Sequence, residues 1–313
     1  MTANLDDPRI TKFAILIEEA ARSTEDGVRF FVEPAEGVLE RAKSRRHHFI
    51  FGRRGSGKSS LIAKVQQEFT LSRVPNARVD LEPFKGHSYP DLLISVLIET
   101  FTSFRTWLDL FATARSSSNS IFSRLFKRHS QTQPFNKKAV DKLIASIDKE
   151  LQDLKAQLYL ADNADIEQEE QVSQAKRRST SHKLGLASGG ITPKIGQSKS
   201  TDSSSLDRSR EQFRRSKVEF LRRRVLEYQR LFDELKIVSG SDAFLLLDDL
   251  YHIRRPEQAS VVDYLHSVGK GHGLWLKVGT IRHRTTWYLH GNPPLVSVCA
   301  QTVPVIGASN GTS

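Results

Sequence analysis

Residues 52–60 read GRRGSGKSS, with glycines at 52, 55 and 57 followed at once by Lys58, Ser59 and Ser60. Glycines at these intervals let backbone N–H groups turn inward around phosphate oxygens. Lys58 is placed to reach the outer phosphates of a nucleoside triphosphate, and the Ser59 hydroxyl to ligate Mg²⁺. Arg53 and Arg54 fill the variable positions beside Gly55 and Ser56, either as solvated side chains or as extra phosphate contacts. The helix that follows the loop would aim its positive N-terminal end at the same anion. The competing reading is a glycine-rich turn with an incidental lysine. It has no need of a strand before the loop and an amphipathic helix after it, and the sequence supplies both.

Far downstream, residues 244–249 read FLLLDD, an apolar run closed by two carboxylates. A phosphate loop needs an acid at the end of a nearby buried strand to organise its metal, and Asp248 is the expected one. Asp249, next along, is placed to polarise an attacking water; alternatively the pair caps the following helix. Other chemistries find little support. The single cysteine, Cys299, has no evident base beside it, and the ten histidines show no zinc-type spacing. His47 and His48 belong to the segment that enters the loop.

The elements around these motifs alternate. HHFIFG (47–52) predicts a buried strand running into the loop, and SSLIAKVQQEFTLS a helix with Leu61, Ile62, Val65 and Phe69 on one face. ARVDLEPF predicts a second strand, and residues 89–112 a long apolar helix opened by Pro90. DAFLLLDD, SVVDYLHSVGKG and LWLKVGTIRHR predict strand, helix and strand. This is the pattern of a parallel sheet covered by helices, an α/β fold. Before it, residues 8–23 and 35–46 predict helices and GVRFFVEP a short strand or turn. The alternation is interrupted. Val140, Ile144, Ile147, Leu151, Leu154, Leu158 and Ala161 form one helical seam, and Phe213, Val218, Leu221, Val225, Tyr228, Phe232 and Leu235 a second. The Ser-, Gly- and Lys-rich residues 176–205 between them read as disordered. A long helical hairpin projecting from the domain is expected, the alternative being two amphipathic helices lying on the core.

The chain divides into five segments: a helical lead-in (1–46), the first part of the core (47–112), a helical, partly disordered insertion (113–239), the second part of the core (240–290) and an irregular tail (291–313). The net charge of +11 favours an anionic partner. Arg222, Arg223 and Arg224 on the second seam, with Lys176, Arg177 and Arg178, could form an arm that tracks nucleic-acid phosphates without reading sequence, or could simply solvate their helices. No apolar run is long enough to cross a membrane, the N-terminus does not read as a targeting segment, and a lone cysteine suits a cytoplasmic protein.

GRRGSGKSS, RVDLE, FLLLDDL and VGTIRHR together resemble the additional-strand P-loop ATPases, the group containing AAA+ and STAND proteins. Within it the likeness is to origin-recognition-complex type ATPases and their bacterial relatives, over residues 25–110 and 240–290. The resemblance implies ATP as ligand, Mg²⁺ as metal, and γ-phosphoryl hydrolysis that switches engagement of nucleic acid or a partner protein, as in DNA transactions or anti-phage defence. It implies a γ-phosphate sensor at Thr280, or at Arg282 on the STAND pattern, unless residues 282–284 are an ordinary solvated loop. The residues after Thr280 do not read as that family's helical lid. The alternatives are a fragment or shortened form, a site completed by a neighbour in a homo-oligomer, or a nucleotide-regulated binding module with little turnover.

Overall fold

A strand buried on both faces must be apolar at every position, and FLLL satisfies that condition. The computed structural model describes residues 10, 12, 28, 31–117, 136–182, 199–286 and 301–304. Its centre is a parallel sheet of β1 (His48–Phe51), β2 (Asn76–Asp80), β3 (Ala243–Asp248) and β4 (Leu274–Thr280), in the order β2-β3-β4-β1. β5 (Gln301–Pro304) adds to the outer edge of β1, also in parallel. All six residues of β3 are buried, as its central place requires. The registers set Asp80 beside Asp248 and Phe51 beside Thr280, so the ends of four strands meet at one edge.

Alternation along the strands divides the interior in two. Ala243, Leu245, Leu247, Leu276 and Val278 face one side; Phe244, Leu246 and Ile50 face the other. The second side is covered by α1 (Val38–Lys43) and α2 (Lys58–Leu71), through Val38, Ala42, Leu61, Ile62, Val65 and Phe69. The first is covered by α3 (Asp91–Ser117), α5 (Lys199–Ser239) and α6 (Arg255–Gly269), with α4 (Lys137–His182) packed outside on α3 and α5.

The two seams do not stand clear of this core where their side chains are described. Leu143, Ile147, Leu151 and Leu154 of α4 and Leu221, Tyr228, Phe232 and Leu235 of α5 belong to the same apolar cluster as the sheet. Each such side chain contributes roughly 1.5–3 kcal/mol on burial. Polar bonds fix the packing: Arg224 reaches Glu150 at 2.8 Å and Asp153 at 2.6 Å, and Lys217 reaches Asp91 at 2.7 Å and the Leu158 carbonyl at 3.2 Å. Tyr264 of α6 donates to the Leu221 carbonyl at 2.8 Å.

Several expectations are revised. Helix α1 starts only at Val38, because Gly37 before it takes a left-handed φ of 79°. Residues 176–182 and 199–205, read as disordered, continue α4 and α5, since extending a formed helix costs little per residue. The tail read as irregular contributes β5. Pairing of an edge needs only backbone groups, and the terminal Pro304 lies where a missing N–H is tolerated. Of the expected N-terminal helix only residues 10 and 12 are described; the rest of it, the strand or turn after it except for residues 28 and 31–34, and residues 183–198 lie outside the described residues. Among the described residues no helix is long and apolar enough to cross a membrane.

One charged side chain sits inside the sheet. Lys277 of β4 is wholly buried and its ammonium donates to the Ser44 carbonyl at 2.6 Å, the Arg46 carbonyl at 2.8 Å and His48 Nδ1 at 3.1 Å, anchoring the turn that leads into β1. Burial pushes Lys277 down to about 7. Burial, followed by the neighbouring His266 and Lys277 charges for His47 and chiefly the Lys277 charge for His48, pushes both histidines down to about 4. The folded chain therefore keeps both neutral where the unfolded chain, at 6.5, would protonate them. The contribution of these two histidines to stability is full above 6.5 and is lost as pH falls toward about 4; urea titrations across that window should show this slope, and a His47→Gln/His48→Gln protein a shallower one.

Candidate functional site

The glycine loop leaves the sheet at Phe51 and is tied at its root, where Gly52 N donates to the Thr280 carbonyl at 3.3 Å. Its curl depends on glycine in two ways. Gly55 and Gly57 hold φ of 77° and 82°, which other residues reach only under strain. Gly52 instead allows a close approach, since a Cβ there would lie 2.1 Å from Ser56 Oγ. Ser56 Oγ is itself buried and has no partner among the described residues. α2 begins at Lys58 directly after Gly57, so its first amides open toward the loop. Arg53 and Arg54 are exposed and carry no ion pair among the described residues, and Ser60 lies in the first turn of α2.

Facing this loop are the carboxylates at the end of β3. Ser59 Oγ donates to Asp248 Oδ1 at 3.1 Å, joining residues 189 positions apart. The other oxygen, Oδ2, accepts from the Arg78 guanidinium at 2.8 Å. Asp248 is 2% exposed, so these two bonds satisfy a carboxylate that water barely reaches. Lys58 is buried as well. Its ammonium donates to the Arg53 carbonyl at 3.1 Å and stands 5.9 Å from the centre of the Tyr251 ring. Burial pulls its pKa down while Asp249 and Asp248 push it up. Asp249 turns out of the strand with φ 57°; burial first and the Asp248 charge second raise its pKa, against Lys58 and His252. Tyr251 leans on the same carboxylate, and burial followed by the Asp249 charge raises its hydroxyl.

Thr280 and Arg282 end differently. Alternation along β4 turns Thr280 to the face opposite α2, where its Oγ1 donates to Thr285 Oγ1 at 2.6 Å, which in turn donates to the Ile281 carbonyl at 2.8 Å. Arg282 is exposed in a single 3₁₀ turn, and no described contact ties its side chain to the carboxylates. The turn is held from beneath by the fully buried Gln258, which donates to the Ile253 and Arg284 carbonyls at 2.8 and 3.2 Å and accepts from Thr286 N at 2.8 Å. Lys58, Ser59, Asp248 and Asp249 thus gather at one point, Thr280 borders it, and Arg282 stays outside.

Arg78, Tyr251 and Gly279 belong to this site although their motifs did not announce them. The signals were faint: an arginine inside the strand RVD, and a glycine inside the strand KVGT, where a missing side chain marks close approach. A Cβ on Gly279 would lie 2.6 Å from Ile62 Cδ1 and 3.1 Å from Asp248 Oδ1. Among the described residues no three His, Cys, Asp or Glu side chains are grouped to hold a metal by themselves. A cation here would depend on Ser59, Asp248 and oxygens brought by a ligand, which is how Mg²⁺ is usually held beside phosphates. Compared with known protein families, curated proteins and solved structures, the chain matches none.

The tight packing at Gly279 has a measurable consequence. Gly279→Ala should cost about 1–3 kcal/mol in urea unfolding by overpacking against Ile62 and Asp248. Gly55→Ala, which meets no atom within 4 Å but must hold φ 77°, should cost through strain alone, about 1–2 kcal/mol.

Proposed function

We propose that this chain is a Mg²⁺-dependent ATP-binding switch of the additional-strand P-loop type that hydrolyses ATP to change its engagement with a partner. The observation that carries the reading is the Ser59–Asp248 hydrogen bond, which couples the glycine loop to the buried strand acid across the sheet edge. Two further features support it. β4 stands between the loop strand β1 and the acid strand β3, the interposition that the additional-strand name describes. The buried Ser56 hydroxyl, without a partner among the described residues, and the buried Lys58 ammonium suit a phosphate inside the loop better than a solvated turn.

Each residue then has a distinct duty. The loop amides after Gly52 that are not used within the fold, those opening α2 among them, and Lys58 neutralise the phosphate oxygens. Ser59 and Asp248 supply protein oxygens to the cation, which when bound offsets the charge that develops on the transferred phosphoryl group. Asp249, with a raised pKa, orients and polarises the attacking water. Thr280, once released from Thr285, or Arg282 reads the terminal phosphate after a movement of the turn at residues 281–285. α4 and α5 form the long helical hairpin inserted between the two halves of the core, and transmit the nucleotide state to whatever they meet.

Three proteins test this by calorimetric ATP titration and by phosphate release. The intact chain should bind and hydrolyse ATP, Lys58→Ala should lose binding, and Asp249→Asn should bind yet release phosphate more slowly by about a hundredfold or more, the scale of a lost general base. Equal release from all three rules out hydrolysis.

One observation favours a second reading, a nucleotide-regulated binding module with little turnover: Asp248 is already paired with Arg78. In that case the functional contact is the basic surface of α5 on nucleic acid. Arg215 and Arg223 are there paired with Glu211 and Glu219 of their own helix, whereas Arg222 is exposed without an ion pair among the described residues. Because α4 and α5 share the core, point changes and not a deletion are the proper probe. Anisotropy of a labelled oligonucleotide at two salt concentrations should show weaker binding for Arg222→Glu/Arg223→Glu, with a salt slope reduced by about 0.9 per lost phosphate contact. Unchanged affinity excludes α5 as the contact.

A further inference from the structure

Arg78 has no duty in phosphate binding or hydrolysis, and the role inferred for it rests on the phosphate-site reading. Each Asp248 oxygen accepts one hydrogen bond: Oδ1 from Ser59 at 3.1 Å and Oδ2 from Arg78 at 2.8 Å. The carboxylate has little freedom to turn toward anything else. Gly279 lies so close on the β4 side that one methyl group would stand 3.1 Å from Oδ1. Arg78 reaches it from β2 on the other side, on the face that also carries α2. The arginine side chain is 22% exposed and the aspartate side chain 3%, so Arg78 has a path outward and Asp248 has none.

A divalent cation arriving at Asp248 must therefore meet a guanidinium in hydrogen-bond contact with its ligand. The two positive charges compete for one carboxylate in a site with little water to screen them. The conflict is relieved by movement of the arginine, whose side chain has a path outward. Asp80 lies two residues along β2 on the same face as Arg78, in register with Asp248, and is exposed. It gives a displaced Arg78 a second carboxylate.

We propose that Arg78 is the resting counter-ion of Asp248 and that a divalent cation must displace it, so that Arg78 sets the cation concentration at which the site loads. The device keeps a dry carboxylate satisfied when no metal is present and makes metal entry the step that frees an arginine at the sheet edge. Arg78 is a positioning residue acting through Asp248.

The test tracks the thermal midpoint of the full chain with saturating ATP while MgCl₂ is titrated, for the natural protein, Arg78→Gln and Arg78→Lys. Arg78→Gln should reach half of its Mg²⁺-dependent stabilisation at a concentration lower by about tenfold, the scale on which a charge-assisted pair exceeds a neutral hydrogen bond. Arg78→Lys keeps the charge and should stay near the natural protein, which also serves if the glutamine variant folds poorly. A half-point unchanged or raised in Arg78→Gln overturns the proposal; should that variant not fold, a half-point shifted tenfold in Arg78→Lys does so. ATP stabilisation in EDTA that Lys58→Ala removes reports the phosphate site separately. If ATP stabilises none of the proteins at any Mg²⁺ concentration, the phosphate-site reading fails and this inference with it. Stabilisation with one common Mg²⁺ dependence sinks the inference alone.

Discussion

A carboxylate cut off from water at the end of a central strand is the constraint around which this fold is arranged. Asp248 is buried because β3 is buried, and β3 is buried because helices cover both faces of the sheet. An isolated charge in that place would be untenable, so neighbouring elements must bring it partners. α2 brings Ser59, β2 brings Arg78, and β4 contributes the absence of a side chain at Gly279. Three separate elements are thereby fixed in position relative to one acid, and the glycine loop is fixed with them because Ser59 follows it directly.

The opposite face shows how a long interruption can be part of a domain. α3, α4 and α5 occupy sequence between β2 and β3, two strands that lie side by side, and their described apolar side chains roof the sheet. Tyr228 and Phe232 pack against Phe101 of α3, while Tyr264 of α6 ties back to the backbone of α5. The helices thus touch the sheet that carries the glycine loop on one side and bear exposed arginines on the other. A change at the sheet edge and a change on the outer helices are linked through a single continuous interior.

Much of this was legible in the sequence because it depends on local rules. Apolar runs marked β1, β3 and β4; helical periodicity marked α2, α3 and the seams; glycine spacing identified the loop. The parallel α/β architecture comes from their alternation. Pairing partners were less visible. Nothing in RVD says that Arg78 will lie beside Asp248, since that depends on which strands become neighbours. β5 escaped notice because an edge strand can form without a periodic side-chain pattern. The extent of α4 and α5 was underestimated because polar, serine-rich ends resemble disorder until a packed helix extends into them. Which way Thr280 turns was likewise settled by one step of alternation at a strand end, finer than any sequence boundary can be drawn.

β1 carries the loop, yet its hydrogen-bonding neighbours come from far along the chain, His48 pairing with Lys277 on one side and with Gln301 on the other. The loop strand therefore has no sheet to join until the chain has been made through β4. During synthesis the early segments, α2 and β2 among them, must wait for β3 and β4, and contacts of such long sequence separation form slowly. The shape of the glycine loop is thus fixed late as this chain folds. A nascent or truncated chain that still contains every residue of GRRGSGKSS would lack the frame that gives the motif its shape.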